Sequence, residues 1–391
     1  MIKTISKPKV LVALSGGVDS AVAAALLLEQ GYDVTGGFIK NWSDSKDPMS
    51  GVCSWRAERR DAIRVAAALD IPLLTFDFEK QYRKKIVDEL YKGYKRGETP
   101  NPDVLCNEYI KFGLFFDEAM KLGYDMIATG HYARTEQRTG LSSTNNELRT
   151  IKTIKHNNDV RSTKYDVRLL KGKDPSKDQS YFLYRVPGSI LRRTLLPIGA
   201  YQKSEIRELA KKFKLPVANK ADSQGICFIG KVDFSKFLSN KIQNKPGNIV
   251  TAEGEVIGKH QGLHNYTIGQ RQRIRVAGNH PWFVAKKDTE KNQLVVADSE
   301  DHPLLQAKEL IVDDLHWIAG QAPKMPLNVK IQARYHGKEI SAKICTGKTK
   351  KTIHIKLAKP LVAAAQGQSA VIYKGKECLG GGIIRKVINL C

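Results

Sequence analysis

The hydrophobic pattern of the first 134 residues alternates between two kinds of segment. Short continuous apolar runs are typical of strands buried in a parallel sheet, and longer segments with apolar residues at helical spacing predict helices. The predicted strands are Lys9–Leu14, Tyr32–Ile39, Leu73–Phe78 and Met126–Thr129. The predicted helices are Ser20–Gln30, Trp55–Leu69, Gln81–Tyr94 and Asn107–Leu122. This alternation predicts the α/β class, with a doubly wound parallel sheet covered by helices on both faces.

The pattern changes twice in the rest of the chain. Residues 135–165 are polar and lack a period, which predicts an exposed loop or hairpin excursion. Residues 178–241 are predicted to be mainly helical, and Gln202–Phe213 is the clearest helix. Beyond Pro246, short β-rich runs between turn residues predict a small barrel or sandwich. These runs are Ile249–Val256, Gln293–Ala297, Val329–Tyr335, Ile353–Leu357 and Ala370–Tyr373. The predicted domains are an α/β domain at 1–190, a small mainly helical central domain at 191–246 and a C-terminal β-barrel-like domain at 247–391.

The composition excludes several classes of protein. A chain of 391 residues that is 41% hydrophobic can build two or three real cores. It has no run of 18 apolar residues, and its first residues lack the pattern of a secretory or transit segment, so we expect a soluble, cytoplasmic protein without a membrane span. We also expect a monomer. Six cysteines without zinc-finger spacing indicate reduced thiols, not a zinc site or a disulfide scaffold.

The positive charge is concentrated in the later part of the chain. The formal net charge is +24, but residues 1–134 have 19 Lys or Arg against 18 Asp or Glu. Residues 135–391 therefore account for a net charge of +23. A generally basic proteome would not leave the first third neutral, so the asymmetry predicts a polyanionic partner, bound mainly by the later part of the chain.

The segment Ser15–Ser20, with the sequence SGGVDS, lies between the first predicted strand and the first predicted helix. Its glycines permit close approach to an anion, and the amides at a helix start donate to phosphate. The segment is neither a P-loop nor a G-x-G-x-x-G motif. It predicts a nucleotide site, although a tight turn without a ligand has the same pattern. Asp19 is placed where it can meet magnesium or a reacting hydroxyl, and its alternative role is that of a helix N-cap.

Two cysteines lie in motifs that suit thiol chemistry. Cys106, in NPDVLCN, is predicted at the start of the Asn107–Leu122 helix, where the helix dipole would lower the pKa of its thiol. Cys227, in DSQGICF, follows a glycine-containing turn. Each cysteine alone fits a buried core thiol. Two thiols on separate loops would allow a thiol–persulfide exchange, and the neighbouring motifs TGHYAR at 129–134 and KDQSYFL at 177–183 complete the set.

These motifs resemble those of known enzymes. SGGVDS resembles the phosphate loop of the ATP-pyrophosphatase superfamily. The ordered set GFIKNW, NPDVLCN, TGHYAR, KDQSYFL, DSQGICFIG, HNYTIGQR and GQSAVIYKGKECLGGGII resembles the tRNA-specific 2-thiouridylase family nearly end to end. The resemblance implies that ATP adenylates the C2 oxygen of the wobble uridine in tRNA and that persulfide sulfur then displaces AMP.

The resemblance also implies roles for individual residues. Cys227 would carry the persulfide, and Cys106 would attack it or resolve a transient disulfide. From its place in the phosphate loop, Asp19 is predicted to hold magnesium or assist the adenylation step. The implied positions for ATP, with Mg²⁺, are Ala13, Leu14, Ser15, Gly16, Gly17, Val18, Asp19, Ser20, Ile39 and Gly130. The implied RNA contacts are Asn101, Pro102, Asp103, His131, Lys177, Asp178, Gln179, Arg334, Tyr335 and Gln368. The implied partners are tRNA and an upstream persulfide donor, either a cysteine desulfurase or a sulfur-relay protein. No set of metal-ligating side chains is predicted.

Three other functions share part of this pattern. An amidotransferase-type ligase would use the phosphate loop but would not need two cysteines. A 4-thiouridine synthase would share the loop but would be expected to have additional RNA-binding and rhodanese-like domains. A non-enzymatic RNA-binding module would explain the positive charge but not the loop. Cys106 and Cys227 together argue against the first and third.

Overall fold

A computed structural model describes residues 7–43, 54–137, 167–222, 234–239, 241–274, 276, 281–347, 349 and 351–390. The strands are β1 (Lys9–Ala13), β2 (Asp33–Lys40), β3 (Leu73–Asp77), β4 (Met126–Ala128), β5 (Ala133–Gln137), β6 (Val167–Lys171), β7 (Thr194–Leu195), β8 (Gly247–Val250), β9 (Val256–His260), β10 (Phe283–Asp288), β11 (Gln293–Ala297), β12 (Gln306–Trp317), β13 (Leu327–Gln332), β14 (Ile340–Thr346), β15 (Ile353–Val362), β16 (Ser369–Lys374) and β17 (Glu377–Asn389).

The helices follow the same chain order. They are α1 (Val18–Glu29), α2 (Ser54–Ala68), α3 (Glu79–Tyr82, Arg83–Val87 and Asp88–Lys95), α4 (Pro102–Cys106, Asn107–Leu114 and Phe115–Lys121), α5 (Gly188–Leu191), α6 (Lys203–Lys212) and α7 (Phe234–Ser239). In α3 and α4 the middle segment is a π-helical stretch inside an otherwise continuous helix. Within the described ranges, no helix is both long and apolar enough to cross a membrane.

The N-terminal sheet is parallel, with the strand order β3-β2-β1-β4-β7. Phe38 and Ile39 are adjacent in β2, so their side chains point to opposite faces. Phe38 packs with Val22 of α1 and Ile206 of α6, whereas Ile39 belongs to a second cluster with Leu90 of α3. Helices therefore cover both faces, and the predicted doubly wound fold is confirmed.

The largest error in the predicted helices concerns α4. This helix begins at Pro102, not at Asn107. Asn101 caps it, because its Oδ1 accepts the backbone N–H groups of Asp103 (3.1 Å) and Val104 (3.3 Å). An Asn N-cap followed by Pro is a typical helix start. Cys106 therefore lies inside the helix and not at its start, and the predicted helix-dipole environment of its thiol was wrong.

The hairpin of β5 and β6 joins the N-terminal part of the chain to the barrel. These antiparallel strands flank residues 138–166, which lie outside the described residues, so the predicted excursion at 135–165 falls largely there. Strand β6 also pairs with β17, through Leu169 opposite Cys378. The hairpin and the barrel therefore form one continuous sheet.

The C-terminal β region contains two sheets. Strands β12-β15-β14-β13-β16-β17 form an antiparallel barrel that closes through a pairing of β12 with β17, which confirms the predicted barrel. Strands β10-β11-β8-β9 form a separate four-stranded sheet. The predicted strand Ile249–Val256 covers the end of β8, a turn and the first residue of β9, because the turn, with Gly254 at φ +97°, separates the two strands.

Candidate nucleotide and thiol site

The predicted phosphate loop connects β1 to α1. Gly16 has a φ of +72°, and a Cβ there would lie 2.4 Å from the carbonyl oxygen of Glu58, so this position requires glycine. Ser20 shapes the loop, because its Oγ accepts the N–H of Ser15 (3.2 Å) and donates to the carbonyl of Gly17 (3.2 Å). The first amides of α1 have no acceptor inside the helix. The loop can therefore bind an anion such as a phosphate.

Gly130 lies directly against this loop. It follows β4, and a Cβ at this position would lie 2.7 Å from both the carbonyl carbon of Asp19 and the amide nitrogen of Ser20. Ile39 is buried at the carboxyl end of β2, beside the end of β1 in the parallel sheet. The structure therefore places Ala13–Ser20, Ile39 and Gly130 at one edge of the sheet, where open α/β sheets bind ligands.

Asp19 is not the N-cap of α1, so that alternative is wrong. The N-cap is Gly17, and Asp19 is the second residue of the helix. Its Oδ1 accepts hydrogen bonds from the hydroxyl of Tyr132 (2.8 Å) and from Nζ of Lys203 (2.7 Å). Burial, and then the charge of Asp19, raise the pKa of Tyr132 far above its usual range, so Tyr132 remains a donor. The carboxylate of Asp19 is therefore oriented by two side chains beside the phosphate loop.

Lys203 links Asp19 to a second carboxylate. Its Nζ lies 2.8 Å from Oδ1 of Asp222, which also pairs with Lys177 (3.1 Å) and Arg207 (2.6 Å). Burial would raise the pKa of Asp222, but its lysine partners lower it to about 2. The sequence analysis missed Lys203, although one signal was present. It is the first residue of α6, where the helix dipole disfavours a cation.

Some of the implied RNA contacts form a cluster near the start of α4. The carboxylate of Asp178 accepts hydrogen bonds from the backbone of Gly172 (2.9 Å) and the hydroxyl of Ser180 (2.9 Å). The ring of Tyr335 packs 4.2 Å from that of Phe182. Burial, followed by the charges of Asp178 and Asp103, raises the pKa of Tyr335 to about 12. The structure thus brings the 101–103 segment, Asp178 and Tyr335 together.

His131, Lys177 and Gln179 lie closer to the phosphate loop. Gln179 pairs with Tyr132 twice, through its backbone N–H (2.9 Å) and its side-chain Oε1 (2.9 Å). Burial, and then the charge of Lys111, lower the pKa of His131 well below its usual range. The neutral ring contacts Nζ of Lys111 (3.5 Å) and Oγ1 of Thr129 (2.7 Å). Lys111 belongs to α4, so this contact connects the helix of Cys106 to the edge that holds the loop.

Arg334 and Gln368 use their side chains to join parts of the protein. Arg334 donates to the carbonyls of Ile268 (2.6 Å) and Ala363, which connects the barrel to the four-stranded sheet. Gln368 donates to the carbonyl of Thr99 (2.6 Å), just before α4. These two predicted RNA contacts therefore have structural partners within the chain.

The two proposed thiols differ in what can be said of them. Cys106 is fully buried. Cys227 lies outside the described residues. Burial raises the pKa of Cys378 well above its usual range, which makes that thiol unreactive. In the described part of the chain, no group of three or more His, Cys, Asp or Glu side chains is arranged to hold a metal ion.

Arg185 is a second residue that the sequence analysis missed. Its guanidinium binds Glu108 of α4 (2.5 Å) and Asp314 of β12 (2.9 Å). Arg185 is only 9% exposed, so this is a mostly buried bridge between the helix of Cys106 and the barrel. No motif marks it, because its partners are 77 and 129 residues away.

Comparisons with known proteins cover almost the entire chain. Three family models match the chain. They are the tRNA methyl transferase HUP domain over residues 8–231, the tRNA methyl transferase PRC-barrel domain over 235–298 and the aminomethyltransferase β-barrel domain over 307–384. The tRNA-specific 2-thiouridylase MnmA of Methylobacillus flagellatus is 42% identical over 98% of this chain and 100% of its own length. The enzyme of the same name from Nitrosomonas europaea is 43% identical over 97% of this chain and 99% of its own. That from Geobacillus thermodenitrificans is 40% identical over 100% of this chain and 98% of its own.

Proposed function

This chain belongs to the tRNA-specific 2-thiouridylase family, and on that premise we propose that it is an ATP-dependent tRNA-uridine sulfurtransferase. The observation that carries the proposal is that the phosphate loop and the helix of Cys106 are connected through the turn after β4. The phosphate loop touches the turn after β4 at Gly130, and His131 of that turn contacts Lys111 on the helix of Cys106. An adenylation site and a candidate sulfur-transfer thiol thus lie on connected elements.

The proposed reaction has two steps. The C2 oxygen of the wobble uridine attacks the α-phosphorus of ATP, and pyrophosphate leaves. Sulfur then adds to C2, and AMP leaves with the former C2 oxygen. The first step is needed because a urea-like carbonyl oxygen is a poor leaving group, and the phosphoester makes it a good one. Sulfur delivery from a persulfide on Cys227, with Cys106 as the second thiol, leaves a disulfide between them that an external thiol must reduce.

The first step makes the phosphate loop the electrostatic centre of the site. Amides at the start of α1 and the hydroxyl of Ser15 would donate to phosphate oxygens, while Ser20, whose hydroxyl donates to Gly17, holds the loop in shape. Lys203, which pairs with Asp19 at 2.7 Å, adds a positive charge at the same place. Mg²⁺ fits this donor set only as an ion held by ATP phosphates together with Asp19, because Mg²⁺ accepts one or two carboxylates plus phosphate oxygens. In that arrangement it would neutralise charge on the phosphates.

The second step requires Cys106 to become accessible. Its side chain is fully buried in the structure, so the thiol must be uncovered when the substrates bind. We infer that sulfur reaches Cys227 from a cysteine desulfurase or a sulfur-relay protein. Asn101, Pro102 and Asp103 cap and begin the helix of Cys106, and we place the target base beside them.

The test is mass spectrometry of nucleosides from tRNA incubated with the enzyme, ATP and a persulfide source. Cys106→Ser and Cys227→Ser should each abolish 2-thiouridine while ATP binding persists, and Cys345→Ser is the matched control that should retain it. Asp19→Asn should still accept persulfide at Cys227 but release no pyrophosphate. Substantial 2-thiouridine from either of the first two variants would overturn the proposed thiol roles.

A further inference from the structure

The barrel carries its positive charge on one half. Residues 327–374, which contain β13–β16, have ten Lys or Arg and a single acid, Glu339. The rest of the barrel, 306–326 and 375–390, has five Lys or Arg and four Asp or Glu. Solubility alone does not require such a division within one small barrel. The division points to a polyanion that contacts the β13–β16 half.

Lysines of this half line a groove on the outer wall of the barrel. The groove has a volume of about 520 Å³, and its four lysines come from four different strands. We call it the lysine groove, and its lysines are Lys330, Lys343, Lys356 and Lys374. All four are exposed, whereas their strand neighbours Ala342 and Ile355 are buried in the barrel core. The charged side chains therefore project outward from a well-packed wall.

The arrangement is electrostatically unfavourable for the barrel itself. Lys343 of β14 and Lys356 of β15 stand directly opposite each other in the antiparallel register. Like charges at such a pair destabilise a sheet. On its other side Lys356 stands opposite Glu309 of β12, but the carboxylate of Glu309 contacts His354 (3.0 Å). Within the described residues, no carboxylate oxygen lies within 4 Å of the ammonium group of Lys343, Lys356 or Lys374. Lys330 reaches only Glu339, at 3.9 Å, and Glu339 also pairs with Lys171.

The described contacts that join the barrel to the N-terminal part of the chain include Asp314 of β12, the pairing of β17 with β6, and Gln368 in the turn before β16. On the β13–β16 half, Glu339 pairs with Lys171 of β6. None of these contacts uses the side chains of Lys343, Lys356 or Lys374. Lys343, Lys356 and Lys374 therefore remain available to an external partner. Asn328 and Ser341 also line the groove and supply neutral hydrogen-bond donors among the lysines.

We propose that the lysine groove binds the ribose–phosphate backbone of tRNA, as a contact surface distinct from Arg334, Tyr335 and Gln368. The inference rests on the proposed function, because it takes tRNA as the polyanion. A lysine ammonium group binds phosphate as a point charge, because it lacks the planar, forked donors of arginine. Contacts to phosphate do not distinguish one base from another. The groove should therefore contribute affinity that is independent of the tRNA sequence and strongly dependent on salt.

The test compares two triple variants of the full-length chain. In the groove variant, Lys343→Gln, Lys356→Gln and Lys374→Gln are combined. In the matched control, Lys308→Gln, Lys324→Gln and Lys386→Gln remove the same charge from exposed positions on the other half of the barrel. Affinity for an unmodified tRNA transcript is measured by fluorescence anisotropy across a salt series. A third variant with Lys→Arg at the groove positions keeps the charge.

The groove variant should lower the slope of log K against log salt by about 2 to 3, since the slope falls by nearly one for each phosphate that the protein no longer neutralises. The control and the Lys→Arg variant should keep the wild-type slope, and thiolation at saturating tRNA should be unchanged in all three. Equal slopes for the groove variant and the control would overturn the inference, as would a groove variant that loses heparin binding but keeps its tRNA affinity. Wild-type protein that fails to bind or thiolate tRNA would instead contradict the proposed function.

Discussion

Replacing Gly130 with alanine should impair adenylation by a predictable amount. The new Cβ would lie 2.7 Å from two backbone atoms of the phosphate loop, whereas ordinary contact begins at 3.4 Å. Because the clashing atoms belong to the backbone of Asp19 and Ser20, no side chain can rotate away, and the loop must move by about 0.7 Å. A displacement near 1 Å in a positioned reactant costs about 10²-fold in rate. We therefore expect tRNA-dependent pyrophosphate release to fall by roughly 10- to 100-fold.

The matched control for this variant is Gly31→Ala. Gly31 lies just beyond the far end of α1 at φ +86°, with no atom within 4 Å of its added Cβ. This substitution strains the backbone by about 1–2 kcal/mol without touching the loop. Both variants should therefore unfold at lower urea concentration than the wild type, but only Gly130→Ala should lose pyrophosphate release. Wild-type pyrophosphate release from folded Gly130→Ala would refute the assignment of this contact to the ATP site.

Two further predictions concern the ion pairs. Arg185→Met should destabilise the chain by about 3 kcal/mol because it leaves the carboxylate of Glu108 buried without its partner. The test is urea unfolding of Arg185→Met, Glu108→Gln and the double variant. If the losses in unfolding free energy of the two single variants simply add in the double variant, the prediction is contradicted. Asp222 has a pKa lowered to about 2, so it stabilises the fold above its ordinary pKa and loses this effect as the pH falls through 2. Because Asp222 is partly exposed, we expect Asp222→Asn to be about 1 kcal/mol less stable than wild type near neutral pH, and a stability gap that did not narrow in acid would count against this ion pair.

The periodic elements of the fold could be predicted because their patterns are local. Strand β11 was predicted at the observed residues, and the apolar run of β1 differs by one position. The predicted start of α4 at Asn107 was wrong, although Asn101 and Pro102 form a standard helix-start signature. The separation of β8–β11 from the barrel was not predictable, since strand pairing depends on partners far apart in the chain.

In the candidate site, too, the features set by neighbouring residues could be predicted, and the contacts between distant residues could not. The loop Ser15–Ser20 is contiguous, and its glycines and serines indicate its geometry directly. The partners of Asp19 are not local, since Tyr132 and Lys203 are 113 and 184 residues away. The partners of Arg334 are also distant, since its guanidinium donates to the backbone carbonyls of Ile268 and Ala363, 66 and 29 residues away. The RNA contact of Arg334 stays a prediction. A motif identifies which residues matter, but only the fold shows what they touch.

Such distant partners attach the helix of Cys106 to the barrel at two places. The segment before α4 is held by the barrel, since Thr99 exchanges hydrogen bonds with the 366–368 turn and Glu98 pairs with Arg385 (3.2 Å). The segment after Cys106 is held as well, because Arg185 connects Glu108 to β12. Cys106 thus lies between two attachments to the same barrel. The position of this thiol relative to the phosphate loop is therefore set by the barrel as well as by the α/β domain.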